Sequence, residues 1–113
     1  MHPKHLHRTA LLGLSMIFAT TAFAAEYVVD QQSKSFRMDG HKVEAITISA
    51  GDSIRFKNED SFFHNIFSLS DLKIFDLGSF LKGQSKTVNF DQPGKVEVEC
   101  AIHPEMYMEV TVK

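Results

Sequence analysis

Several features that are common in other protein classes are missing from this sequence. It contains one cysteine, Cys100, so no internal disulfide can form, although disulfides are the usual role of cysteine in exported domains. No internal repeat or low-complexity tract is present, and after residue 24 no stretch is apolar enough to cross a bilayer. With 113 residues, the chain has room for one folded domain and no more.

The amino-terminal segment has the organisation of a secretory signal peptide. Basic residues precede an apolar run over residues 10–23, which ends in Ala22-Phe23-Ala24, the small-x-small pattern of a signal-peptidase site. The run has about 14 residues, fewer than the ~20 of a spanning helix, and this favours cleavage over a retained membrane anchor. We therefore predict a signal peptide over residues 1–24 and a periplasmic domain over residues 25–113.

The predicted mature domain is mildly acidic. Removal of residues 1–24 takes away two basic residues and no acidic residue, so the formal net charge changes from −2 to −4. This charge disfavours nucleic acid and anionic lipid as partners, and it is compatible with a basic protein partner. No membrane insertion of the mature chain is expected.

The body of the domain consists of short runs in which apolar and polar residues alternate, a pattern that predicts β-strands with one buried face. Turn signals rich in Gly, Asn, Asp and Pro separate these runs. The pattern is clearest over residues 46–49, 53–57, 87–90, 95–100 and 107–113. Several such strands with short turns are typical of an antiparallel β-sandwich or barrel. For residues 70–81, a loop, a short strand and a helical turn remain open.

A short segment near the carboxyl terminus carries three residues that bind soft metal ions. Strand parity places Cys100 on the same face as Val96 and Val98, where a thiolate is costly unless a positive charge compensates for it. His103 follows three residues later, and Met106 follows three residues after that. A buried inert thiol or an inter-chain disulfide would explain a cysteine standing alone. The neighbouring imidazole and thioether favour a bound metal instead.

A second imidazole must come from elsewhere in the chain, and His64 is the candidate because it stands at the start of a predicted strand. Two histidines, one cysteine and a weak axial methionine are the ligands of blue-copper electron-transfer sites. Met108 is an alternative axial ligand to Met106, although its position in the last alternating run favours a role in core packing. His41 is interpreted as a turn residue without a metal role.

Taken together, these motifs resemble those of the plastocyanin and amicyanin branch of the cupredoxins. The resemblance spans almost all of residues 25–113 and rests on ITISAGDSIRFKN at 46–58, FHNI at 63–66, PGKVEVEC at 93–100 and HPEM at 103–106. It implies a Greek-key β-sandwich with one type 1 copper ion near one end.

The resemblance also implies a role for each residue of the site. His64, Cys100 and His103 would be the strong copper ligands, and Met106 the axial ligand. Asn65 would tie the two ligand-bearing segments together. The family usually has Ser or Thr followed by Pro between its Cys and His ligands, whereas Ala-Ile stands at residues 101–102 here. Asn65 therefore loses an expected hydroxyl partner.

The predicted function is one-electron transfer between unidentified redox proteins by a monomeric copper protein that is not an enzyme. Copper carriage or buffering is the alternative, since it would use the same ligands; the sequence lacks the Met- and His-rich tails that would favour it. Nucleophilic catalysis by Cys100 with His103 is disfavoured, because the cysteine faces inward and no orienting partner is evident. Copper is preferred to zinc because it binds such ligand sets more tightly.

Overall fold

Two five-stranded sheets share one hydrophobic core in the computed structural model, which describes residues 23–113. Strands β1 to β10 are, in chain order, Glu26–Gln32, Ser35–Met38, His41–Lys42, Ala45–Ile48, Asp52–Asn58, His64–Ser68, Phe75–Phe80, Ser85–Phe90, Gly94–Cys100 and Tyr107–Val112. The described residues contain no helix, and therefore none that could span a membrane. The predicted signal peptide lies, except for its last two residues, outside the described residues.

The strand order is β3-β2-β1-β5-β8 in the first sheet and β4-β10-β9-β6-β7 in the second. Most neighbours are antiparallel, but β1 pairs with β5 in parallel, and β10 pairs with β4 in parallel. The predicted all-β sandwich is confirmed. Its two parallel pairs are a finding of the structure, because alternation indicates which face of a strand is buried and not which neighbour it has.

The core is filled by alternate residues of strands from both sheets. In β9, Val96, Val98 and Cys100 are buried while Lys95 and Glu97 are exposed, as the alternation predicted. Four phenylalanines supply much of the core volume, namely Phe36, Phe56, Phe80 and Phe90, and each is at most 1% exposed. Full burial of such a side chain contributes about 1.5–3 kcal/mol. This packing provides a firm scaffold for side chains at the end of the sandwich.

The open question over residues 70–81 is resolved in favour of a short strand. The segment forms a turn and then β7, which pairs with β6 at the edge of the second sheet. A register shift between Asn65 and Phe67 interrupts this pairing. A bulge of this kind bends a strand and changes the direction of its side chains. It lies directly beyond His64, the first residue of β6.

Candidate metal centre

Pairing of β6 with β9 brings His64 beside Cys100, although 36 residues separate them in the chain. Ile66 lies opposite Cys100 in the antiparallel ladder. His64 is two residues before Ile66, so both side chains point to the same face of β6. That face is the core side, since both residues are 0% exposed. The sheet thus directs the imidazole of His64 into the interior next to the thiol.

The loop between β9 and β10 is held by main-chain hydrogen bonds. The backbone N–H of Met106 donates to the carbonyl of His103 at 2.9 Å, and that of Cys100 donates to the carbonyl of Met106 at 3.4 Å. The N–H of Ala101 donates to the carbonyl of Asn65 at 2.9 Å, which joins the loop to β6. Both segments that carry the predicted ligands are therefore fixed by the protein itself.

Three candidate ligand atoms converge on one point. The Sγ atom of Cys100 lies 3.6 Å from Nδ1 of His64 and 3.7 Å from Nδ1 of His103. All three atoms lie within 4.8 Å of one another, and no second group of this type occurs among residues 23–113. Donors that bind one ion at about 2.0–2.3 Å lie at comparable mutual distances. His64 and Cys100 are buried, whereas His103 is partly exposed.

The other residues singled out in the sequence occupy distinct places. Met106 is 1% exposed and follows His103 in the ligand-bearing loop. Met108 is 0% exposed and lies in β10 opposite Val98, within the core cluster. His41 is exposed in β3. Burial does not distinguish the two methionines, and the preference for Met106 stays a prediction.

Asn65 joins the two segments through its main chain. Its carbonyl accepts the hydrogen bond from Ala101, whereas its side-chain Oδ1 is buried without a hydrogen-bond partner. The missing partner agrees with the absence of a hydroxyl residue after Cys100, where Ala101 and Ile102 stand. The two segments are thus joined by a main-chain hydrogen bond at Asn65, and a role for the Asn65 side chain stays a prediction.

Asp60 is a residue of the site that sequence reasoning missed. Its Oδ2 lies 2.8 Å from Nε2 of His64. The carboxylate also accepts hydrogen bonds from the backbone N–H groups of Ser33 at 2.7 Å and Lys34 at 3.2 Å. In the sequence Asp60 belongs to a polar turn, and nothing there shows that the loop folds back toward His64. Its position four residues before a candidate ligand was the one available signal.

The contact between Asp60 and His64 determines which ring nitrogen is free. A carboxylate only accepts hydrogen bonds, so Nε2 of His64 carries the proton that is donated to Asp60. When His64 is neutral, its Nδ1, which faces the sulfur of Cys100, has a free lone pair that can bind a metal. Metal-binding histidines are commonly oriented by a carboxylate in this way, which also increases the basicity of the ligand.

Electrostatics within the cluster favour an ionised thiol. Burial by itself raises the pKa of Cys100, but hydrogen bonds from cationic His64 and from backbone N–H groups outweigh it and lower this pKa to about 6. Burial likewise opposes ionisation of Asp60, yet its hydrogen bonds with His64, Ser33 and Lys34 hold its pKa below the usual value. For His64, burial lowers the pKa, whereas Cys100 and Asp60 raise it more strongly. The site thus stabilises anionic sulfur beside cationic or metal-bound nitrogen.

The aromatic ring of Phe62 contacts both imidazoles of the site. The ring of Phe62 lies 5.4 Å from that of His64 and 5.2 Å from that of His103, measured between centroids. The Nδ2 amide of buried Asn58 donates to the carbonyl of Phe62 at 2.8 Å and fixes the backbone there. Phe62 is 38% exposed, and Phe63 is 53% exposed. Phe62 therefore lies at the rim of the site, where its ring contacts both imidazoles.

The donor set fits copper. A thiolate is a soft ligand that suits Cu(I), while imidazole suits copper in both oxidation states. The cluster has two imidazoles and one thiolate, with a buried thioether in the same loop. Such a set corresponds to the ligands of type 1 copper sites.

Comparison with known proteins agrees with this geometry. Residues 25–113 match the family model described as copper binding proteins of the plastocyanin/azurin family. No curated protein matches the chain. Among solved structures, a Cu(I) form of an amicyanin variant is similar with a TM-score of 0.68 and 20% identity, covering 84% of this chain and 88% of that chain. A second amicyanin variant, in its reduced state, gives a TM-score of 0.68 with 21% identity over the same shares.

The copper-containing nitrite reductase of Thermus scotoductus is also similar, with a TM-score of 0.69 and 21% identity over 86% of this chain and 24% of that chain. At these identities the structural neighbours show a shared cupredoxin fold. The family match covers the whole described domain from Ala25 onward, and the cluster has the ligands of one type 1 copper ion. The chain therefore belongs to the copper-binding plastocyanin/azurin family, and copper is its cofactor.

Proposed function

We propose that the protein is a periplasmic one-electron carrier in which His64, Cys100, His103 and Met106 hold one copper ion. The observation that carries this proposal is the convergence of two histidine nitrogens and one cysteine sulfur, with one of the histidines at the surface. Bound copper would supply reversible cycling between Cu(II) and Cu(I).

The surrounding residues favour electron transfer because they hold the donors in place. His64 is fixed by β6 and by Asp60, and Cys100 is fixed by its place at the end of β9. Donors that are positioned before the reaction need little rearrangement when the charge of the bound group changes. Burial of His64 and Cys100 keeps water away from the thiolate side of the site.

The surface around His103 suits contact with a redox protein. His103 is partly exposed, and Phe63 and Ile102 beside the ligands in sequence are 53% and 49% exposed. The ring of Phe62, which is 38% exposed, also contacts that of His103. Exposed apolar side chains next to a ligand provide surface for a protein contact. A partner that docked there would approach the one candidate ligand that reaches the surface. Donor and acceptor are both proteins of unidentified type in this proposal.

The wider biological setting is part of the same proposal. The chain is exported, cleaved after Ala24, and active as a monomeric domain of residues 25–113 that is not an enzyme and does not bind nucleic acid or insert into a membrane. The signal-peptide pattern and the mild acidity of the domain support these points. The nitrite reductase neighbour does not bring an enzymatic role, because the likeness covers 24% of that enzyme.

Addition of Cu(II) to the purified domain tests the proposal. We expect a strong thiolate-to-copper charge-transfer band in the visible spectrum, narrow hyperfine splitting in electron paramagnetic resonance, and a saturation point at one copper per chain. Reversible voltammetry should then show a single one-electron couple. Copper binding without a reversible couple, and with ready exchange of Cu(I), would support a copper carrier and contradict the electron carrier.

Matched methionine variants will identify the axial ligand. We expect Met106→Leu to shift the reduction potential and the charge-transfer band of the copper protein, because leucine keeps most of the side-chain volume and removes the sulfur. Met108→Leu should leave both nearly unchanged and cost less than about 1.5 kcal/mol of unfolding free energy. Voltammetry and visible absorption of the two variants provide the comparison. The reverse result would assign the axial position to Met108.

A further inference from the structure

The amino end of the predicted mature domain makes a specific contact with a carboxylate. The backbone nitrogen of Ala25 lies 2.8 Å from Oδ1 of Asp52, and the carbonyl of Ala25 accepts a hydrogen bond from the N–H of Ser53 at 3.0 Å. Ala25 directly precedes β1, which pairs in parallel with β5 from Glu26 opposite Ser53 onward. Phe23, two residues before Ala25, is 89% exposed. Ala25 is therefore joined to the domain immediately after the predicted cleavage point.

Asp52 is a nearly buried anion that has no cationic partner. The residue is 5% exposed, and its second carboxylate oxygen accepts the N–H of Ser49 at 2.9 Å. These backbone hydrogen bonds from Ala25 and Ser49 hold the pKa of Asp52 below its usual value. Among the ion pairs of residues 23–113, none involves Asp52. Asp52 is therefore held as an anion next to the backbone nitrogen of Ala25, and a positive charge on that nitrogen would be favourable.

The structure assigns Asp52 as the receptor for the α-ammonium group of Ala25 that is created by cleavage after Ala24. This inference rests on the export and processing proposed above. In the cleavage, a signal-type endopeptidase adds water across the Ala24–Ala25 peptide bond, which leaves a carboxylate on Ala24 and an amine on Ala25. With an ordinary pKa near ~8, that amine is mostly protonated at neutral pH. A neutral N–H with one hydrogen thus becomes a positive group with three.

Processing would then strengthen a contact that already exists before cleavage. A charge-assisted hydrogen bond is roughly twice as strong as one between neutral groups. The nearby acidic residue Glu26 is already paired with Arg55, at 3.1 Å between Oε1 and Nε, which leaves Asp52 as the partner of the new terminus. The contact secures the parallel pairing of β1 with β5 at its first rung. Maturation is therefore expected to stabilise the domain.

The contact lies far from the metal centre. Asp52 begins β5, whereas Asn58, which fixes the loop before His64, ends it. Seven residues of extended chain span about 20 Å. Changes at Asp52 should therefore leave the copper spectrum unaltered. An experiment on the amino terminus can thus fail independently of the copper titration.

The decisive experiment compares free and acetylated amino termini in the domain that begins at Ala25. In the parent, acetylation should lower the thermal unfolding midpoint by several degrees at pH 7, and the α-amino pKa measured by NMR should lie about one unit above its ordinary value. In Asp52→Asn, acetylation should have little effect and the α-amino pKa should return to about 8. Asp71→Asn, which changes an exposed aspartate, should behave as the parent.

Equal effects of acetylation in the parent and in Asp52→Asn would overturn the inference. If Asp52→Asn does not fold, the pKa of the α-amino group in the parent protein tests the inference by itself. An ordinary pKa for that group would contradict the contact with Asp52. Mass spectrometry of the exported protein must show a chain that begins at Ala25, and any other first residue contradicts both this inference and the proposed cleavage. Failure of the domain to bind copper would contradict the proposed function and leave this inference unaffected.

Discussion

Replacement of Cys100 by alanine is expected to abolish the visible charge-transfer band of the copper-loaded protein completely. The band arises from a thiolate bound to copper, and Cys100 is the one cysteine of the chain. Its sulfur lies 3.6 Å and 3.7 Å from the two histidine nitrogens of the cluster, and its lowered pKa of about 6 makes the thiolate available at neutral pH. Visible absorption and electron paramagnetic resonance after addition of one equivalent of Cu(II) will measure the loss.

The controls for this experiment are a second ligand and a histidine outside the cluster. His64→Ala should alter or bleach the band, because it removes a buried nitrogen 3.6 Å from the sulfur. His41→Ala should leave the spectrum unchanged, since His41 is exposed in β3. Circular dichroism of each apoprotein confirms that the β-sandwich is intact. A blue band that survives in Cys100→Ala would refute the proposed ligand set.

The second large effect is expected at Asp60. Asp60→Asn removes the negative charge that lies 2.8 Å from Nε2 of His64. Asparagine has one oxygen, and it therefore cannot accept from His64, Ser33 and Lys34 in the way that the carboxylate does. Loss of a hydrogen-bonding partner of a metal ligand typically costs 10–100-fold in metal affinity, and we expect about that loss for copper.

The reduction potential should move in a defined direction. A negative charge near the metal favours Cu(II), so its removal in Asp60→Asn should raise the potential. Competition titration with a chelator measures the affinity, and voltammetry measures the potential. Asp71→Asn is the matched control, because it also removes one negative charge but from an exposed turn. Equal potentials in the two variants would show that Asp60 does not act through His64.

The predicted strands were confirmed where the alternation was regular. Strands β4, β5, β8, β9 and β10 all coincide with runs that alternate between apolar and polar residues. Strand β1 escaped prediction because Gln31, a polar residue, occupies a fully buried position in it and interrupts the pattern. Strands β2 and β3 have four and two residues, too few to show a period. The formation of β1, β2 and β3 therefore depends on tertiary packing and not on a local sequence pattern.

The residues of the candidate site also differ in how far the sequence predicts their positions. Cys100, His103 and Met106 lie within residues 100–106, so their proximity follows from the sequence itself. The approach of His64 depended on a resemblance, because strand order cannot be read from alternation. Asp60 was missed, since its contact with His64 depends on the path of a loop that folds onto Ser33 and Lys34.

The distribution of the donors along the chain has a consequence for the order of assembly. Three of the four proposed donor residues lie within residues 100–106, and an unfolded chain already presents them together. His64 joins them only when β6 has paired with β9. A metal that binds the unfolded chain as well adds less to stability than its affinity for the native state implies. If the protein is exported as proposed, copper can bind residues 100–106 of the unfolded chain first, and pairing of β6 with β9 would then complete the site.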